Sequence, residues 1–510
     1  MLLKILVLVI FFGVMILVGL NARKKVTGVN DFVLGGRNVG PWVCAFSFGT
    51  SYFSAVVFIG YAGQFGWRYG IASTWIGIGN ALIGSMLAWV ILGRRTRVMT
   101  NALNSKTMPD FFEKRYSSKA LKIVASAIAF VFLIPYTASV YNGLSKLFAI
   151  AFDIPYQACV IVMAALTGVY VILGGYMASS LNDFIQGLIM LFGIVAVIAS
   201  VLAGQGGFTK AFASLAAVEG DFPGAYASFF GPDIAGLFSV FVLTSLGTWG
   251  LPQMVGKFYA IKDEKSIKTG TIVSTFFAFI IGGGSYFLGG FGRLFGTNGA
   301  PFLSTAADGS VKVAFDGIIP YMLQTSLSDV LIGVVVVLVL SASMSTLSAL
   351  VLTSSSTFTL DFLKGNVIKE MDQQRQLLIM RIMIVFFIVV SVAIAMNPPA
   401  FIAQLMGISW GALAGAFLAP FLYGLYWKKV TEKAVWASFF FGVGITVSNL
   451  FLKFTNAINA GAIAMVGGLI IVPLVSLLTK VKDKEAVDKI FTCYDEKIVV
   501  RKADQLTAEE

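Results

Sequence analysis

About thirteen apolar runs divide this chain of 510 residues, near 2–21, 41–65, 70–93, 120–150, 155–174, 182–204, 234–256, 270–296, 327–362, 377–397, 399–426, 434–453 and 460–479. A helix needs about 20 apolar residues to cross a bilayer, and the runs have that length. Composition points the same way. The chain is 57% apolar and 12% charged, with a mean hydropathy of +0.86, whereas a soluble domain keeps about a quarter of its residues charged. The expectation is one all-α polytopic membrane protein, not a string of soluble domains.

An odd number of spans puts the termini on opposite sides, and the basic residues orient them. Alternate loops collect Arg23, Lys24, Lys25 and Arg37, then Arg94 to Arg115, then Lys257, Lys262, Lys265 and Lys268, then Lys364, Lys369 and Arg375, then Lys428, Lys429 and Lys433. Of the 37 basic residues, the opposite side receives only Lys4, Arg68, Lys146, Lys210, Arg293, Lys312 and Lys453. The positive-inside rule makes the basic side cytoplasmic, with the N-terminus outside and the C-terminus inside, in a plasma (inner) membrane. The charge of +12 is thereby spread between membrane spans, and no nucleic-acid partner is expected. The first run is longer than a signal-peptide core and its charge follows it, so it reads as a spanning helix. Segments 205–233 and 297–326 read as outer loops with short helices. The stretch 480–510 reads as a charged cytoplasmic tail without a site.

Histidine is absent, which removes imidazole proton relays, histidine-bound metals and Ser-His-Asp chemistry together. Cys44, Cys159 and Cys493 are the only cysteines, and two lie in apolar runs, so neither a disulfide framework nor a structural metal site is expected. The chain reads as a non-enzyme. Two runs carry the means to break. "GPWVCAFSFGTSYFSAVVFIGYAG" has Gly49 and Gly60 around a polar centre, and "FVLTSLGTWGLPQMVGKFYA" has Gly247, Gly250 and Pro252. Taken singly, such glycines could serve only close helix packing. Five spans apart, and so inverted relative to each other, the two breaks mark the site of a secondary transporter.

The run 327–362 begins as lipid-soluble helix and ends crowded with hydroxyls, in "LSASMSTLSALVLTSSSTFTLD". Membrane serines and threonines commonly bond their own preceding turn, which is expected for most of 353–359. Ser345 and Thr346 differ, because they follow Ala342 by three and four residues and share its face. Two hydroxyls and a helix carbonyl opposite a broken helix offer a hard monovalent cation such as Na⁺ the oxygen shell it needs, by extension from the harder divalent ions.

Several stretches together resemble the sodium/solute symporter family, nearest its sodium/proline branch: "DFVLGGRNVGP" (31–41), "LGGYMASSLNDFIQGLIM" (173–190), "WGLPQMVGKFYAIKD" (249–263) and "ASMSTLSALVLTSSSTFTLD" (342–361). The resemblance implies a LeuT-type core of two inverted five-helix halves, with one helix before it and two after. Its boundaries would be 1–40 for the first helix and loop, 41–204 for the first half and 205–233 for an outer loop. The second half would be 234–426, two peripheral helices 427–479 and the tail 480–510. The resemblance further implies a sodium site made of the carbonyls of Thr50, Phe53 and Ala342 with the hydroxyls of Ser345 and Thr346. A second sodium, held in some members, would use Asp183, Ser345 and Ser348, but its last ligand position is Ala349, which has no side-chain oxygen. One sodium is therefore expected, with Asp183 assisting its release.

The solute should sit between the breaks. Candidates are Ser51, Tyr52 and Ser54 on the first, Thr244, Thr248, Trp249 and Gln253 on the second, and Tyr136, Tyr141 and Asn142 on the fourth span. Tyr52 stands where the proline branch has an aspartate, and Thr244 and Thr248 stand where it has tryptophan and tyrosine. No arginine on the fourth span waits for an acidic sugar. A small neutral or zwitterionic solute, or a monocarboxylate held by hydroxyls and a helix N-terminus, fits this set. The expected function is sodium-coupled symport of a small organic solute, with Na⁺, solute and lipid as partners and no obligatory protein partner. The alternatives are a proton-coupled carrier, for which only Asp183 could titrate, a channel, or a membrane enzyme or sensor, for which no catalytic constellation or signalling domain is visible.

Overall fold

The computed structural model describes residues 2–23, 28–152, 154–296, 299–305, 310–364 and 366–494. Lys24 and Lys25 of the first basic loop and residues 495–510 of the tail lie outside them. The chain is a bundle of helices whose one sheet, among the described residues, is the antiparallel pair Leu303–Thr305 and Val311–Val313. Each apolar run lies largely on helix. Among the described residues, nine helical stretches qualify as spans by length and hydropathy, or ten with the bent pair Ile234–Gly250 and Pro252–Tyr259. Val56–Ala102 joins two of the thirteen runs, and the runs near 2–21 and 155–174 lie on Leu2–Arg23 and on the part of Tyr156–Gly204 before Gly175.

Helix ends are set by side-chain caps at the water boundary. Thr107, Asp233, Asp263, Asp372, Thr431, Asn456 and Asp483 each accept a hydrogen bond from the backbone N–H three residues on, which relieves one orphan donor of the first turn. Between the caps, the bundle exterior is apolar in the manner of a lipid-facing wall, with Phe192, Ile272, Phe440 and Phe451 all more than two-thirds exposed. The segments between spans carry the expected short helices, Phe208–Ala216 in one and Ile318–Ser326 in the other, and the second also holds the hairpin, which was not expected.

Helix Ile402–Tyr426 is the most enclosed span, and the last two helices, Glu432–Leu452 and Ala457–Leu478, close on it. The approach needs small residues: a Cβ on Gly442 would lie 2.3 Å from the Gly415 carbonyl carbon, so backbone meets backbone there. Tyr156–Gly204 is two helices meeting at Gly175 (φ 54, ψ −147). That left-handed φ suits glycine alone, and a Cβ there would also stand 2.8 Å from the Phe32 carbonyl oxygen.

Both expected breaks exist. The first separates Pro41–Tyr52 from Val56–Tyr61, which continues into Ala62–Tyr69, with Phe53 extended (φ −110, ψ 108). The second falls at Leu251 (φ −84, ψ 121), where the chain bends by 46°. Pro252 follows it in the first turn of the next half-helix, the position proline tolerates. The first break has a different cause from the glycines expected to make it. Gly49 and Gly60 lie inside helix, and a Cβ on either would be 2.5 Å from Phe277 or Ile402, so they serve packing. The break itself is held by hydroxyls: Ser54 Oγ accepts from the Val56 N–H (3.2 Å) and Ser343 Oγ from the Ala55 N–H (3.2 Å). These satisfy donors that the helix gives up, which the membrane interior demands.

Candidate functional site

The hydroxyl-rich helix Asp329–Thr357 faces the end of Pro41–Tyr52. Ser345 Oγ donates to Thr50 Oγ1 (2.8 Å), which in turn donates to the Phe46 carbonyl (2.8 Å). Thr346 Oγ1 lies 3.2 Å from the Ala342 carbonyl oxygen, 3.3 Å from that of Ser51 and 3.5 Å from that of Thr50. Thr50, Ala342, Ser345 and Thr346 are wholly buried. Three carbonyls from two helices thus converge on one hydroxyl, with two more hydroxyls beside it and the extended Phe53 at the break. This is an oxygen cage without formal charge, suited to a cation that must be stripped of water. Ser51, expected on the solute side, turns its carbonyl into this cage; its own hydroxyl is buried without a partner.

Next to the cage is an ion pair that the sequence did not suggest. Asp183, wholly buried, accepts from Ser47 Oγ (2.5 Å) and lies 3.5 Å from Lys257 Nζ, and Lys257 Nζ donates to Ser47 Oγ (2.6 Å). Lys257 was counted among the residues of a basic loop, but it is 2% exposed, because Pro252–Tyr259 continues the second broken helix beneath the cage. Ser348, grouped with Asp183 as a second ion set, instead pairs with Ser179 Oγ (2.6 Å) and donates to the Ser345 carbonyl (2.8 Å). A narrow cleft runs from Lys106 and Thr107 to Ser179, Gln253 and Lys257. Burial, and then the neighbouring Lys364 ammonium, hold Lys106 below the ordinary lysine range.

On the other side of the first break is a small, tightly packed pocket. Of the expected solute residues, Tyr52, Ser54, Tyr136 and Thr244 line it, and Val56, Val57, Tyr61, Asn80, Tyr286, Met406 and Trp410 complete the wall. The other expected residues are elsewhere. Thr248 Oγ1 donates to the Gly84 carbonyl (2.9 Å) and Trp249 Nε1 to that of Ile83 (3.0 Å), about one turn further along the helix than Thr244. Gln253 lines the cleft below the second break. Asn142 accepts from Tyr156 (3.3 Å), whose hydroxyl also donates to the Ala395 carbonyl, and Tyr141 is buried outside the cavity wall. Tyr52 donates to the Thr244 carbonyl (2.7 Å) and so ties the two broken helices together. Tyr61, Asn80, Tyr286 and Trp410 escaped sequence reasoning; the available signal was a polar or aromatic residue isolated inside an apolar run, and that signal does not say which way a helix faces.

An all-helical membrane bundle with two helices broken at corresponding positions, an uncharged oxygen cage at one break and a small pocket beside it defines a secondary transporter. A model of the sodium:solute symporter family matches residues 32–442, and the chain belongs to that family. Among its relatives, the osmoregulated proline transporter OpuE of Bacillus subtilis is 30% identical over 482 residues, covering 92% of this chain and 94% of the relative. The sodium/proline symporter of Salmonella typhimurium is 29% identical, covering 85% of each. A substrate-bound, outward-open Na⁺-coupled sialic acid symporter shares the fold at a TM-score of 0.76 and 17% identity, over 94% of this chain and 99% of that one. Mhp1, a nucleobase-cation-symport-1 transporter, reaches 0.54 at 13% identity, over 91% of this chain and 98% of that one. The fold is accordingly LeuT-type, and the protein is an integral membrane transporter, not an enzyme, that couples Na⁺ to the symport of a small solute.

Proposed function

We propose that the coupling sodium is held by the carbonyls of Thr50, Phe53 and Ala342 and the hydroxyls of Ser345 and Thr346, with the Ser51 carbonyl as a further neighbour, and that the solute occupies the cavity bounded by Tyr52, Ser54, Tyr136 and Thr244. The observation that carries this is the convergence of three carbonyls from two helices, all within 3.5 Å of the Thr346 hydroxyl. The halves 41–204 and 234–426 act as the two inverted repeats, with 1–40 before them, 205–233 joining them, and 427–479 and 480–510 peripheral. The basic loops face the cytoplasm, the N-terminus lies outside, and import runs toward the cleft at Lys106. Lipid is the surrounding partner; neither nucleic acid nor an obligatory protein partner takes part.

One sodium travels per solute. Ala349 lacks a side-chain oxygen, and the Lys257 ammonium already neutralises Asp183. In proteoliposomes the sodium dependence of initial uptake is expected to follow a Hill coefficient near one. A coefficient near two, together with a two-ion reversal potential, would refute the single-ion assignment.

A further inference from the structure

Four buried polar groups in the cavity wall have no hydrogen-bond partner of good geometry: the Tyr61 and Tyr286 hydroxyls, the Asn80 amide nitrogen, which stands beside Tyr286, and the Trp410 indole nitrogen, which stands beside Tyr136. All four residues are 2% exposed or less. Of the other polar groups of the wall, Tyr52 donates to Thr244 O, Thr244 Oγ1 to Val240 O, Ser54 Oγ accepts from Val56 N–H, Asn80 Oδ1 accepts from Ser245, and the Tyr136 hydroxyl faces the Trp410 indole. The unspent capacity is therefore lopsided. Indole N–H and amide NH₂ can only donate, and the two hydroxyls can donate as well. No acceptor-only group is left over, and no charged side chain lines the cavity.

We infer that the solute is a short monocarboxylate without an amino group, recognised by the unspent donors of Asn80, Trp410, Tyr61 and Tyr286. The inference rests on the reading of this cavity as the solute site. A carboxylate brings two acceptor oxygens and no donor, which matches the surplus. Asn80 and Tyr286 adjoin each other, so one carboxylate spans both. Its charge is balanced by the sodium in the adjoining cage, not by an arginine or lysine. A secondary ammonium such as that of proline brings N–H donors into a wall already rich in donors and without a carboxylate to receive them. The pocket is tightly packed in this structure, with almost no free volume, so only a small solute can be admitted without large side-chain movement.

The test uses the purified full chain in proteoliposomes with an inward sodium gradient. Acetate, propionate, pyruvate and lactate are each offered beside L-proline and glycine betaine. Expected is sodium-driven uptake of at least one of the four acids, electroneutral at one sodium per anion, with neither proline nor betaine taken up. Trp410→Phe, which removes only the N–H, should raise KM for that acid about tenfold or more. Asn80→Asp, which sets a second carboxylate against the first, should abolish uptake. Equilibrium ²²Na⁺ binding should persist in both variants and so report that they fold. Uptake of proline or betaine, or of none of the four acids, overturns the inference while leaving the cavity as the site. A KM for the transported solute that neither variant moves shows instead that the cavity is not where the solute binds, and the proposed function fails at that point.

Discussion

The proposed ion cage and the proposed solute cavity share the first broken helix, yet their polar groups are in opposite states. In the cage every hydroxyl is already spent inside the protein: Ser345 on Thr50, Thr50 on Phe46, Thr346 on Ala342. In the cavity four donors have no partner of good geometry. A cation entering the cage must take over oxygens that are already satisfied, so its gain is the difference between coordination and those hydrogen bonds. A solute entering the cavity meets groups whose desolvation has already been suffered, and its hydrogen bonds are nearly all gain. The cage therefore stands as a stable fold element with or without its ion. The cavity is a strained one that its ligand relaxes, and preorganisation of that kind favours affinity for a solute of the right polarity.

The sharpest way to probe the ion side is through its resident charge pair. Asp183 and Lys257 have side chains 1% and 3% exposed, and removing one partner of a buried pair leaves an uncompensated charge, at about 3–5 kcal/mol. Lys257→Met is expected to lower the thermal midpoint in detergent strongly. The double variant Asp183→Asn with Lys257→Met should recover most of the loss, because no net charge stays buried. If the single and double variants are equally unstable, Lys257 contributes packing and not charge, and the ion side owes nothing to this pair.

How much of this could be read beforehand differs between the same two regions. The cage was legible because its residues are few and local: Ala342, Ser345 and Thr346 sit at helical spacing on one face, opposite a break advertised by polar residues in an apolar run. The break's cause was not legible, since Ser343 comes from a helix almost 290 positions away. The cavity was legible only in part. Its wall gathers side chains from both broken helices and from four further segments, and whether a helix turns Tyr136 or Tyr141 inward depends on packing, not on its own spacing. Thr248 and Trp249 were misplaced for a different reason: Thr248 shares the face of Thr244, and how far the cavity reaches along that helix was not legible. Lys257 was hidden by the positive-inside pattern itself, which assigns every lysine near a span end to the water boundary.

The middle-sized effect is expected in the cage. Thr346→Ala removes a hydroxyl that meets three carbonyls, and Ser345→Ala one that meets Thr50. If each ligand lost costs about 1.4 kcal/mol, the sodium concentration for half-maximal uptake rises about tenfold. Folded stability should also fall by roughly 1 kcal/mol, because these hydroxyls are bonded in the absence of sodium. Sodium titrations of uptake, with thermal unfolding in sodium-free buffer beside them, read the two effects separately. Unchanged sodium dependence in both variants would remove the cage assignment.

The smallest expected effect distinguishes the two regions most directly. Tyr61→Phe deletes one hydroxyl from the cavity wall and nothing else. That hydroxyl is buried and unbonded, so its loss takes away a desolvated group that contributed nothing to the free protein. The ring remains packed on Phe65 at 5.0 Å between centroids. Stability without solute should stay the same or rise by a fraction of about 1 kcal/mol, the reverse of the cage variants. With solute bound, the sign changes, because the hydroxyl then has an acceptor. The stabilisation that saturating solute confers should shrink, and the solute concentration for half-maximal uptake should rise a few-fold, with the sodium dependence untouched. The same pair of measurements applies to Tyr286→Phe, with a smaller effect expected because its hydroxyl stands beside Asn80. A drop in solute-free stability for either variant would mean that the hydroxyl is already engaged, and the contrast between a self-satisfied cage and an expectant cavity would fail where it is most specific.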